Sequence, residues 1–185
     1  MQAMYSSISH LQSQLGPKAL FASMVLLVGG CVHAPSISSH DSEAVLISTA
    51  SELNKKLNSG YCIAPKLDMK GPQWAGQVDK DGWITAPNDK TMRYHPLPAP
   101  EITTLPHSAL EALSNAKPGA NCNHVIVFAR PQFIEIRTQT ESYIEADVNF
   151  SDRCPLCGYG AIARFRKIAG GWRITPEKIE GTWVS

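Results

Sequence analysis

Two groups of residues in this chain have types and spacing that could do chemistry. The first is Cys154-Pro155-Leu156-Cys157, a C-x-x-C pair, with Cys62 and Cys122 as two further cysteines. Such a set can form a thiol–disulfide centre, hold zinc, or close structural bridges. A redox centre wants its first cysteine at a helix amino terminus, where the dipole stabilises the thiolate. Here Gly158 and Gly160 follow at once, and no βαβ pattern precedes the motif. Zinc would need Cys62 and Cys122 at an irregular spacing, or one of the scattered histidines. The second group is Glu145 and Asp147, which project from the face opposite Ile144 and Ala146. Paired carboxylates can serve as general acid and base. Arg164 and Arg166, on the polar face of the neighbouring strand, would instead neutralise them as an ion-pair ladder. His95, His107 and His124 stand alone, with no H-x-x-x-H or Ser/His/Asp pattern around them. No phosphate loop or dinucleotide fingerprint occurs, so neither a cofactor nor a metal is expected.

The fifth cysteine, Cys31, belongs to a different signal. Lys18 precedes an apolar run from Ala19 to Val28, and Gly29-Gly30-Cys31 closes it. The run is about 12 residues to Gly30, short of the roughly 20 that span a bilayer and suited to a signal-peptide core. Val28-Gly29-Gly30-Cys31 resembles the bacterial lipobox. In that motif small residues let the extended chain enter a protease, and the cysteine thiol takes the lipid. The expected division is a signal peptide over 1–30, a lipidated tether over 31–42 and one domain over 43–185. Acyl chains on Cys31 would supply the membrane attachment. Val32 rather than Asp after the cysteine favours sorting to the outer membrane, facing the periplasm, in a Gram-negative cell.

An exported chain meets an oxidising compartment, so disulfides are the expected state of the four remaining cysteines. Proximity favours Cys154–Cys157, which leaves Cys62–Cys122. The long loop would contribute about 4 kcal/mol and the short one about 2 kcal/mol.

The chain that positions these groups has 185 residues, 43% hydrophobic and 18% charged, enough for one core. With 17 basic and 16 acidic residues it has no field to hold nucleic acid. Val32 to Ser42 is Ser/His/Pro-rich and reads as a tether. Glu43 to Leu57 reads as a helix, with Ser42 as its cap and a stripe of Leu46, Ala50, Leu53 and Leu57. Tyr61 to Ala64 suggests a short strand. Trp74 to Val78 and Trp83 to Thr85 suggest a hairpin around Asp79-Lys80-Asp81-Gly82. Pro96, Pro98 and Pro100 predict an extended loop, and His107 to Leu113 a short helix. His124 to Ala129, apolar on both faces, predicts a central strand. Phe133 to Thr138 and Ile144 to Phe150 alternate, placing Ile134, Ile136, Ile144, Ala146, Val148 and Phe150 toward a core. Charge favours pairing 136 with 146, which sets Arg137 against Glu145 across a loop of about five residues. Ala161 to Ile168 and Trp172 to Ile174 read as another hairpin, though the first also fits a helical stripe. Ile179 to Val184 closes the chain.

Cys154 to Gly160, Gly171-Trp172-Arg173-Ile174 and Trp183-Val184-Ser185 resemble a pattern of L-C-G-x-G, G-x-W-x-I and W-V-S. A group of uncharacterised bacterial secreted and lipid-anchored proteins carries it. The resemblance runs from His124 onward. It implies strand for Ala161 to Ile168. It also implies an α+β fold, an amino-terminal helix packed on a curved antiparallel sheet formed mainly by the carboxyl-terminal half. That fold would be similar to NTF2-like or cystatin-like domains. It brings no activity. The expected function is therefore a lipid-anchored, non-catalytic accessory or binding module with an unidentified protein or small-molecule partner. The alternatives are an NTF2-like enzyme using Glu145 or Asp147, and a thiol–disulfide protein using Cys154 and Cys157. Trp172 and Trp183 could line a pocket, or pack core and sheet edge.

Overall fold

A computed structural model describes residues 35–57, 60–68, 78–119, 122–154, 157–175 and 180–184, all within one compact unit, His33–Ser185. For 157 and 180–184 the backbone alone is described. Cys31 and the signal segment lie outside the described residues. No helix among the described residues is long and apolar enough to cross a membrane.

The first element is helix α1 (Ser39–Asn54), four residues earlier than the expected start. Ser38, not Ser42, is its cap. The reason is spacing: Asp41 sits three residues after Ser38, and the two close a capping box. Ser42 is instead turned inward and buried. The tether is shorter by the first turn of this helix, and the helix ends at Asn54 rather than Leu57. Val45, Leu46, Ala50 and Leu53 form its buried stripe.

Mixed α+β architecture dominated by strands follows. The elements are β1 (Tyr61–Ile63), β2 (Ile84–Thr85), β3 (Arg93–Leu97), α2 (His107–Ala112), β4 (Lys117–Pro118), β5 (His124–Phe128), β6 (Gln132–Arg137), β7 (Ser142–Cys154), β8 (Cys157–Ile168), β9 (Gly171–Ile174) and β10 (Glu180–Val184). The strand path runs β2-β3-β6-β7-β5-β1-β4 without closing, and β8 pairs β7, β9 and β10. Most pairs are antiparallel. The exception is at one edge, where β1 runs parallel to both β4 and β5. The sheet is therefore mixed rather than wholly antiparallel.

Three strand expectations need correction. Pro96 lies inside β3 rather than in a loop, paired with Ile134 of β6. β2 reaches only Arg93 and Tyr94, so at Pro96 the outer edge of β3 needs no amide donor from it. Ile136 pairs with Tyr143, not with Ala146, because the chain reverses over Thr138 to Glu141. Thr138 Oγ1 accepts the amides of Thr140 and Glu141, and the Thr138 amide reaches the Glu141 carbonyl. This odd shift places Ile134 and Ile136 on the face of Tyr143 and Glu145, opposite Ala146. Last, β7 and β8 continue to Cys154 and Cys157, which stand opposite each other. Only Pro155 and Leu156 intervene, where the expected strands ended at Phe150 and resumed at Ala161.

The expected hairpin before β3 survives in part. Val78 bridges Ile84, and the Asp79 carboxylate accepts the amides of Asp81 and Trp83. Gly82 turns the chain at φ +82°, a region that side chains resist. Trp74 to Gln77 lie outside the described residues.

One buried cluster joins Val45, Leu46, Ala50 and Leu53 to Ile126, Phe128, Ala146, Val148, Phe150, Ala161, Ala163 and Phe165. These strand residues share one face, because partners across the ladders do: Phe150 faces Phe128 and Ala161. The opposite face carries Val127, Ile134 and Ile136, and among them the buried Glu145 and Asp147.

Candidate functional site

The polar quartet expected from sequence is assembled. Register sets Glu145 against Arg166 and Asp147 against Arg164. Arg164 grips Asp147 with both arms, Nε to Oδ1 at 2.9 Å and Nη2 to Oδ2 at 3.1 Å. A forked guanidinium on a carboxylate is among the stronger polar pairs. Arg164 Nε also lies 3.8 Å from Glu145, and Arg166 Nη2 lies 3.7 Å from it. Burial pushes the Glu145 carboxyl above its ordinary range, with Asp147 adding to it, while Arg164 and Arg166 pull the other way. Arg166 in turn covers the Tyr143 ring at 3.7 Å. Burial and the Glu145 charge raise that phenol. Both carboxylates thus face guanidinium groups.

Two of the isolated histidines are accounted for by packing. His95 stacks on Trp83 with ring centroids 5.1 Å apart, and Arg137 covers the same indole at 4.3 Å. His107 pairs with Glu111 at 3.2 Å on an exposed turn of α2. Trp172 tilts against Phe133 at 5.4 Å and bonds Asp41. The side chain of Trp183 is outside the described residues.

His124 is different. Its Nδ1 lies 2.9 Å from Oδ2 of Asp152. Asp152 aligns with Ile126 of β5 and with Tyr159 of β8, so these three side chains form one row on the face of Phe128 and Phe150. His124 and Tyr61 form the next row, their rings 5.0 Å apart. Where α1 ends, this part of the face is left open. The result is a cleft of about 160 Å³ lined by Leu53, Lys56, Leu57, Tyr61, Ile126, Phe150, Asp152 and Tyr159. Asp152 Oδ1 is buried and has no hydrogen-bond partner among the described residues. A buried acceptor without a donor costs about 1 to 3 kcal/mol.

Neither residue stands out by motif. One signal was available: Asp152 continues the even-numbered apolar face of Ile144, Ala146, Val148 and Phe150. A carboxylate placed where the next apolar residue belongs is a mark of a built polar position.

The cysteines complete the picture. Cys62 and Cys122 are bridged, with Cα atoms 5.7 Å apart. Cys154 is also a half-cystine, and Cys157 stands across the ladder from it. The Cys154 sulfur, a His124 nitrogen and an Asp152 oxygen lie within 4.8 Å of one another, a spacing compatible with a metal ion. A sulfur held in a disulfide supplies no thiolate, and the remaining two groups fall short of a closed ligand set. A second, broader groove of about 550 Å³ runs past Pro96, Pro100, Glu101, Arg130 and Pro131. Its charged residues are spent on each other, Arg130 Nη2 meeting Glu101 at 2.7 Å.

Comparison with known protein families, characterised proteins and solved structures finds no match to this chain.

Proposed function

We propose that this protein is a lipid-anchored, periplasm-facing binding module without catalytic activity, held to the outer membrane by acyl chains on Cys31. The observation that carries the non-catalytic part is the quartet: Arg164 and Arg166 occupy the carboxylates of Glu145 and Asp147. An NTF2-like enzyme would keep one of them facing an open pocket. The lipid anchor rests on the lipobox-like Val28-Gly29-Gly30-Cys31 and the apolar run before it. The fold reading that goes with it is a helix lying on a curved sheet, of the NTF2-like or cystatin-like kind. The shared cluster of Leu46, Ala50, Val148 and Phe165 supports that packing.

The test is incorporation of a labelled fatty acid by the full chain and by Cys31→Ala in a Gram-negative host. Label in the first, none in the second, and a mature amino terminus at Cys31 by mass spectrometry would support the anchor. A mature terminus elsewhere would overturn it.

A thiol–disulfide role is the second reading. It is favoured by one contact, the His124 and Asp152 polar atoms beside the Cys154 sulfur. An imidazolium there would stabilise a thiolate released by reduction.

A further inference from the structure

The geometry points to His124, Asp152 and Cys154 as a zinc site that is shut while Cys154 is bridged and opens when the bridge is reduced. This goes beyond the binding-module reading and does not depend on it. One nitrogen, one oxygen and one sulfur of these side chains lie within 4.8 Å of one another. A tetrahedral zinc ion at roughly 2.0 to 2.3 Å from each ligand holds such atoms about 3 to 4 Å apart. Small side-chain adjustments therefore close the cluster on an ion. Register explains why the three meet. Val125 of β5 pairs with Arg153 of β7 in an antiparallel ladder, so His124 and Cys154 take the next positions along it. Asp152 stands two residues before Cys154, on the same face of β7.

Donor chemistry selects the ion. Thiolate, imidazole and carboxylate are each zinc ligands, and three protein ligands leave a fourth position open for an exogenous one. The Cys154 thiolate and the Asp152 carboxylate together cancel the double charge of the ion. Lys56, exposed on the adjoining cleft, is a single solvated charge outweighed by two anionic ligands bonded directly. The Asp152 side chain is only 14% exposed, so a bonded cation offsets the cost of its burial. His124, 40% exposed, gives the ion its way in. The ion replaces the bond between His124 and Asp152, and the imidazole keeps its proton on the other ring nitrogen. The gate is the sulfur, which offers no thiolate while it is a half-cystine. A trialkylphosphine opens the bridge: phosphorus gains an oxygen from water and is oxidised by two electrons, and both sulfurs leave as thiols. Zinc then takes the Cys154 sulfur as thiolate, and the thiol proton goes to solvent.

Cobalt(II) titration of the full chain reads the site, because a thiolate bound to cobalt gives a charge-transfer band in the near ultraviolet that zinc removes by displacement. Oxidised wild type should show no band and phosphine-reduced wild type should show one. Cys157→Ser removes the residue across the ladder from Cys154, leaves Cys62–Cys122 bridged, and should give the band without reductant. Added to that variant, Cys154→Ser should abolish the band, and His124→Ala or Asp152→Asn should lower cobalt affinity roughly tenfold or more. Circular dichroism checks that each variant folds. No band in reduced wild type, none in Cys157→Ser, or a band already present in oxidised wild type would overturn the assignment. So would a band that survives Cys154→Ser, which places the metal on other cysteines, or affinity unchanged in both folded His124→Ala and Asp152→Asn. The anchor at Cys31 is read separately by fatty-acid labelling, so failure of that reading and failure of the metal site are distinguishable.

Discussion

The indole nitrogen of Trp172 donates to Oδ1 of Asp41 over 3.0 Å, joining residues 131 positions apart. Lys167 Nζ reaches the same oxygen at 3.0 Å. The other oxygen, Oδ2, accepts from the Ser38 amide and hydroxyl. One carboxylate thus caps α1 and ties its start to the β8–β9 hairpin. The start of the helix cannot slide away from the β8–β9 hairpin without breaking the bonds to Trp172 and Lys167.

Asp41→Ala should lower stability by about 1 to 2 kcal/mol, combining a lost cap with a partly exposed ion pair. Burial alone would raise the Asp41 carboxyl, but Ser38, Lys167 and Trp172 outweigh it and hold the group well below its ordinary range. A depressed carboxyl contributes fully above its unfolded value near pH 4 and loses that contribution as the pH falls. Urea melts at pH 7 and pH 3 check this. The gap between wild type and variant should be full at pH 7, only partly reduced at pH 3, and should close at still lower pH, as the folded-state carboxyl itself takes up its proton.

Glu145 should behave in the opposite sense. Its carboxyl is raised by burial, so the charged form costs stability at neutral pH. That stability is present at low pH and lost as the pH rises through the folded-state value. Glu145→Gln should therefore leave the melting temperature unchanged or higher at pH 7. Arg164→Ala should do the reverse. Asp147, with a side chain 3% exposed, would keep a buried charge without its forked partner. Such removal costs about 3 to 5 kcal/mol for a fully buried pair. Arg164 is itself 41% exposed, so about 2 kcal/mol is expected in a urea melt.

What was legible in the sequence follows from where apolar spacing decides the outcome. Leu46, Ala50 and Leu53 announce α1, and the apolar run of β5 announces a central strand, because burial dominates both. The cap was misplaced because Ser38 and Ser42 have the same chemistry. Only the reciprocal bond to Asp41 separates them. The β6–β7 register was misjudged because a cross-strand charge pair is worth less than a turn. The Thr138 hydroxyl, by ordering the reversal, puts Ile134 opposite Glu145. The cleft was missed because polarity at Asp152 read as the end of a strand. β7 in fact continues to Cys154, carrying Asp152 onto the apolar face.

Cys62–Cys122 ties β1 to the connection that precedes β5, closing a loop over a separation of 60 residues. Cys62 pairs in register with Lys117 on one side and Val125 on the other. Those neighbours are short and parallel, so they hold the edge weakly on their own. Replacing both cysteines by serine should cost about 4 kcal/mol. Denaturant midpoints of wild type, variant and reduced wild type measure it. Once both are reduced, wild type and variant should coincide, because the Cys154 bridge is then open in each, and an oxidised variant as stable as the oxidised wild type would show that the edge needs no bridge.

Cys154 gives the sharpest test between the two readings of the C-x-x-C motif. We propose that Cys154–Cys157 is a structural clip. These residues face each other at the end of a long antiparallel ladder, separated only by Pro155 and Leu156. β8 begins at Cys157, so the motif opens a strand and no helix dipole follows it to stabilise a thiolate. His124 lies close enough to favour one, but it arrives paired to Asp152, whose negative charge disfavours a second anion beside it. The two effects oppose each other, and the reduced form gains little. The potential should then lie below about −300 mV, as for structural bridges in exported proteins. Titration in redox buffers with Cys62 and Cys122 replaced by serine isolates the pair. His124→Ala should move the value by less than about 30 mV, a tenfold change in the equilibrium constant for two electrons. A potential between about −120 and −180 mV, falling sharply in His124→Ala, would instead identify a working thiol–disulfide centre.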